Sequence, residues 1–110
     1  MSKERRKFER VSLPPNAKAY VTTQDGKRVG NLSVVGRGGF QVDTTEKYKP
    51  GEAYSFVIVD ESEGISRGVW AIPRMVTPDA VGFEFESLEA DAAVEVGVII
   101  GKYYSASQDA

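Results

Sequence analysis

The sequence predicts a mainly β domain: a small six-stranded antiparallel barrel with one C-terminal α-helix. Three observations predict it. Short runs rich in Val, Tyr, Phe and Thr, punctuated by Gly, Pro and Asp, fill the chain from about residue 17 to residue 86. From Ser87 the apolar residues recur at three- and four-residue steps, the period of a helix face. The chain has 110 residues, 41% of them hydrophobic and 27% charged, the make-up of one globular domain. Strands first and a helix last favour a closed sheet, because closure leaves no long edge exposed.

The elements follow in order. Ala17 to Thr23 alternates, and Gln24-Asp25-Gly26 turns the chain into Lys27 to Val35, forming a hairpin. The join Gly36-Arg37-Gly38-Gly39 leads to Phe40-Gln41-Val42-Asp43. A loop closed by Pro50-Gly51 precedes Tyr54 to Val59, and Glu61-Ser62-Glu63-Gly64 makes the next turn. Ile65 to Val76 and Ala80 to Glu86 complete the set, with Pro78-Asp79 as the break between them. The helix carries Leu88, Ala92, Val96, Ile99 and Tyr103 on one face and is expected to run to about Tyr104. Ser87 is the expected N-cap, and Glu89 and Asp91 suit the positive end of the dipole. The expected organisation is a basic arm over residues 1–12, the barrel and closing helix over 13–104, and a frayed tail over 105–110.

The residue inventory removes most catalytic chemistry. With no cysteine and no histidine, the chain alone cannot build a disulfide framework, an iron–sulfur cluster, a histidine-assisted nucleophile or a typical zinc site. The expectation is a binding module and not an enzyme, with no metal. The arginine-rich start is followed by Phe8 and Glu9, unlike a signal peptide, and Ala92 to Ile100 is too short to span a bilayer. A soluble cytoplasmic protein is expected.

Fourteen basic against sixteen acidic residues give a net charge of −2, which argues against nonspecific binding of nucleic acid. The charge is unevenly placed. Residues 1 to 10 hold five basic and two acidic side chains, a local charge of +3, so the rest of the chain sums to −5. A basic arm on an acidic body suits one anionic ligand at one place.

Two constellations carry the chemistry. In Arg5-Arg6-Lys7-Phe8-Glu9-Arg10, Arg6 and Arg10 are four apart and share a side in either helix or strand. Each guanidinium fork can grip a phosphate or donate to guanine O6 and N7. By itself such a run is also an ordinary solvated terminus. In Asn31-Leu32-Ser33-Val34-Val35-Gly36, the first and third residues lie two apart, so on a regular strand both face outward while Leu32 faces the core. Gly36 then allows either a positive φ or a close approach. Other features read as structure: the Gly36-Arg37-Gly38-Gly39 stretch lacks the Lys-Ser/Thr of a phosphate loop, and Gly97 and Gly101 suggest only close helix packing. Trp70 reads as core or barrel rim.

Taken together, RxxxR (Arg6 to Arg10), a strand with NxSxxG (Asn31, Ser33, Gly36) and a closing helix resemble the PilZ domain, as do the contexts "ERRKFERVSLP" and "VGFEF". The resemblance runs from Arg5 to about Tyr104. It implies a receptor for cyclic di-GMP, a bacterial second messenger, on a six-stranded barrel, with Arg6 and Arg10 on phosphates and guanine edges and Asn31, Ser33 and Gly36 meeting a guanine. Arg5, just before the motif, goes in that family with two intercalated ligands, and a guanidinium plane can stack on an exposed guanine. One departure is the run Arg37-Gly38-Gly39 after the motif glycine, where a bulge is expected; Arg37 is either a further ligand contact or a solvated charge. The implied function is a stand-alone receptor whose arm orders on ligand and creates a surface for an unidentified protein partner. The alternatives are a ligand-independent PilZ-type adaptor in pilus or motility assemblies and a small nucleic-acid-binding barrel.

Overall fold

The structure is a computed structural model and describes residues 10–109. Its elements are β1 (Arg10–Ser12), β2 (Ala19–Thr22), β3 (Arg28–Gly36), β4 (Gly39–Asp43), β5 (Tyr54–Asp60), β6 (Ile65–Val76), β7 (Ala80–Ser87) and α1 (Ala90–Asp109). Strands β2 to β7 form the expected six-stranded antiparallel barrel. Their order is β3-β2-β5-β6-β7-β4, and β4 pairs back with β3 to close the ring. The short β1 is an addition: it pairs with Val34 to Gly36 on the edge of β3 whose earlier residues pair with β2. Residues 10–12, expected in the arm, thus lie in the sheet.

The β2–β3 hairpin turns where Asp25 and Gly26 predicted it. Gly26 takes a positive φ of 93°, and the Thr23 amide donates to the Lys27 carbonyl at 2.8 Å. Inward residues meet in one aromatic-rich core, with Phe83 4.9 Å from Phe56 and 5.1 Å from Phe40 between ring centres. Pro73 sits inside β6, where a missing donor is normally costly. It lies beyond the last residue of β6 paired with β5, and beside a bulge against β7, so no ladder bond is forfeited there.

Helix α1 packs on β1, β3 and β6 through Ala92, Val96, Ile99, Ile100 and Tyr103. Its ends differ from expectation. Ser87 is the last residue of β7 and pairs with Trp70, so it cannot cap the helix. The first helical bond instead runs from the Ala93 amide to the Glu89 carbonyl, and the helix continues to Asp109. A buried charge fastens its far half to the barrel. The fully buried Asp60 accepts from the Ser62 hydroxyl at 2.8 Å and from the Ser62 and Glu63 amides, and Lys102 Nζ stands 3.5 Å away. Among the described residues no helix is long and apolar enough to cross a membrane.

Candidate ligand site on the outer face of β3

The site is built on β3, and two irregularities decide which way its side chains point. On a regular strand Asn31 and Gly36, five residues apart, would face opposite sides. Against β4, however, Leu32 is opposite Val42 and Val34 is opposite Gln41, so Ser33 is an extra residue in a bulge. The bulge resets the phase. Leu32 and Val35 both enter the core, so the outward phase of the strand falls on Asn31, which is exposed, before the bulge and on Gly36, which is buried, after it. The three-residue gap between Ser33 and Gly36 thus has a geometric meaning.

The bulge falls at Ser33 and not in the glycine run where it was expected. The run itself makes a compact hairpin link: Gly36 ends β3, Gly39 begins β4, and Arg37 and Gly38 connect them. A β-carbon on Gly39 would collide with the Phe83 carbonyl of β7, and one on Gly30 with the Asp43 carbonyl of β4. Close approach of neighbouring strands therefore fixes these glycines. Gly36 takes no positive φ.

Arg10 is the register partner of Gly36. Val11 beside it is buried against Val35, so Arg10 points outward over the motif glycine. The end of RxxxR and the end of NxSxxG are thereby brought together by a ladder between β1 and β3. Arg5 and Arg6 lie outside the described residues. Ser33 is half-buried, and its hydroxyl donates to the Gln41 carbonyl at 3.1 Å, holding the bulge. Asn31 is exposed, flanked across the sheet by Tyr20 on β2 and Asp43 on β4.

Three neighbours of Asn31 were not identified in the sequence. Arg28 Nη2 donates to Asn31 Oδ1 at 2.7 Å, and the guanidinium stands 4.0 Å from the centre of the Tyr20 ring. The Tyr20 hydroxyl donates to Glu61 at 3.0 Å; that bond, with burial and the Glu61 charge, raises the phenol above its ordinary pKa. Asp43 is exposed and outward on the other side. Counting across the hairpin from the inward Ala19 and Val21 would have placed Tyr20 outward. Arg28 was hidden because a second bulge, at Val29 against β2, turns it to the face of Asn31. The row offers donors at Arg28 and Arg10 and a carboxylate acceptor at Asp43, a set that suits an anionic ligand with a purine edge. Among the described residues no metal-ligating cluster occurs.

No family model and no curated protein matches the sequence. The fold, however, is that of the PilZ domain. The chain superposes on the PilZ domain of YcgR from Escherichia coli, a structure with c-di-GMP, at a TM-score of 0.75 and 15% identity, covering 96% of each chain. It is likewise similar to the longer YcgR chain in complex with c-di-GMP (TM-score 0.75, 15% identity, 96% of this chain) and to the Bacillus subtilis inhibitor of motility MotI/DgrA (TM-score 0.71, 14% identity, 97% of this chain). This chain spans 49% and 53% of those two.

Proposed function

We propose that the chain is a cytoplasmic cyclic di-GMP receptor module and not an enzyme, in which a basic arm (residues 1–12) and the outer face of β3 together hold the ligand. The observation that carries this reading is the pairing of Arg10 with Gly36 on the same outer face as Asn31, a juxtaposition that depends on the Ser33 bulge. Its setting supports it, because the fold is shared with a PilZ domain described with c-di-GMP.

In this reading Arg6 and Arg10 grip phosphate and guanine acceptors, and Asn31 and Gly36 meet a guanine from the barrel side. Ser33 acts through the bulge it secures. Arg5 stacks on a base, so that two ligands bind per chain. Ligand contact with the arm creates a surface for a protein partner. The net charge of −2 disfavours nucleic acid as that ligand.

The test is a titration of the purified protein with labelled cyclic di-GMP, cyclic di-AMP and single-stranded DNA. Saturable binding of cyclic di-GMP alone, at about two ligands per chain and about one in Arg5→Leu, is expected, since a guanidinium supplies the stacking plane. No binding of cyclic di-GMP would overturn the receptor reading in favour of a ligand-independent adaptor. Preference for single-stranded DNA would favour the nucleic-acid barrel.

A further inference from the structure

A fourth arginine is already in place beside Asn31. We propose that Arg28 is a ligand-binding residue of the outer-face site, held ready in the free protein to donate to a phosphate or to the acceptor edge of a guanine. This rests on the cyclic di-GMP reading.

The Val29 bulge sets the side of the sheet on which Arg28 emerges, and two contacts then fix its planar head. One N–H is spent on Asn31 Oδ1 at 2.7 Å, and the guanidinium carbon lies over the Tyr20 ring, 4.0 Å from its centre. The ring is in turn tied to Glu61 on the β5–β6 turn at 3.0 Å. Among the described residues the guanidinium makes no other side-chain hydrogen bond. Arg28 is exposed, and among the described residues it forms no ion pair.

A guanidinium has five N–H donors in a rigid fork, so after the bond to Asn31 this exposed group keeps donors for a further partner. That is the equipment for gripping a phosphate or stacking under a base. The contact with Asn31 adds to it. That bond uses one lone pair of Oδ1 and neither N–H of the Asn31 amide, so both side chains keep donors for acceptor atoms of a ligand.

Reach is adequate. Asn31 lies five residues from Gly36, roughly 16 Å of strand, and Arg28 adjoins Asn31, so one extended dinucleotide pair could touch Arg10 at one end and Arg28 at the other. An arginine ordered before binding also loses less freedom on contact than one recruited from solution. Tyr20 is in these terms a positioning residue.

The experiment compares Arg28→Gln, Tyr20→Leu, Tyr20→Phe and Arg6→Ala by titration with labelled cyclic di-GMP at low and high salt, with thermal melts alongside. Arg28→Gln should weaken binding about tenfold and flatten its salt dependence, as loss of one phosphate contact does. Tyr20→Leu should weaken binding, and Tyr20→Phe, which keeps the ring, should bind as wild type. Unchanged or tighter binding by Arg28→Gln, with Arg6→Ala impaired, would overturn the role of Arg28 while the receptor reading stands. Failure of the wild type to bind would overturn both.

Discussion

Ser33 and Leu32 are neighbours with different work to do. The Leu32 side chain is 2% exposed in the core, so Leu32→Ala should cost about 2–5 kcal/mol through lost burial and a cavity. The Ser33 hydroxyl closes a bulge by its bond to Gln41, so Ser33→Ala should cost about 0.5–1.5 kcal/mol, the worth of an ordinary hydrogen bond. Ligand titration should separate the two further. Relaxing the bulge disturbs the relation between Asn31 and Gly36, so Ser33→Ala should bind cyclic di-GMP more weakly while still folded; Leu32→Ala should lose affinity only as far as it unfolds. Urea melts and titrations on the same samples check both, and equal affinity for wild type and Ser33→Ala would sink the role given to the bulge. Arg10 gives the complementary case. Its side chain is outward on β1, so Arg10→Ala should leave stability within about 0.5 kcal/mol, as surface changes usually do, while removing a charged ligand contact worth about 1.5–3 kcal/mol, or tenfold and more in affinity. An Arg10→Ala protein with native melting and native affinity would remove Arg10 from the site.

At the scale of elements, the barrel strands were legible because their signals are local. Tyr54 to Val59 and Ile65 to Val76 are bounded by Gly51 and Gly64, which take φ of 89° and 68°, and the strands start and stop where those turns require. The alternation through Gly82-Phe83-Glu84-Phe85-Glu86 likewise put both phenylalanines in the core. Bulges have no such local mark. Ser33 and Val29 are extra only relative to β4 and β2, so the face on which Arg28 and Gly36 emerge depends on partners remote in sequence. The start of α1 was misplaced for the same reason, because Ser87 is claimed by its pairing with Trp70. The tether between α1 and the β5–β6 turn was also invisible, since nothing in the sequence couples Asp60 to Lys102. That tether is testable. Lys102→Met removes the cation beside a buried carboxylate, one oxygen of which has no hydrogen-bond partner among the described residues, and should lower stability by about 1–3 kcal/mol in urea unfolding. Much of the loss should return in the Asp60→Asn, Lys102→Met double variant, which removes the stranded charge.

Across the whole molecule, ring closure depends on pairs distant in sequence, β2 with β5 and β4 with β7, while among the described residues β1 is held by three residue pairs on one side. Native-state hydrogen exchange should expose this difference. Amides of β3 bonded within the ring should open only with global unfolding, while those of β1 should exchange through local opening at much lower free energy. Saturating cyclic di-GMP should slow exchange in β1 by more than in β3, and equal slowing of both would contradict an arm-centred response. The placing of β3 has a consequence for time as well as for shape. A strand bonded on both edges, by three partners, cannot change its pairing without opening the ring. Under the receptor reading, the floor of the site is thus a fixed reference, and the pace of any ligand response would be set by how fast the short strand β1 attaches and releases.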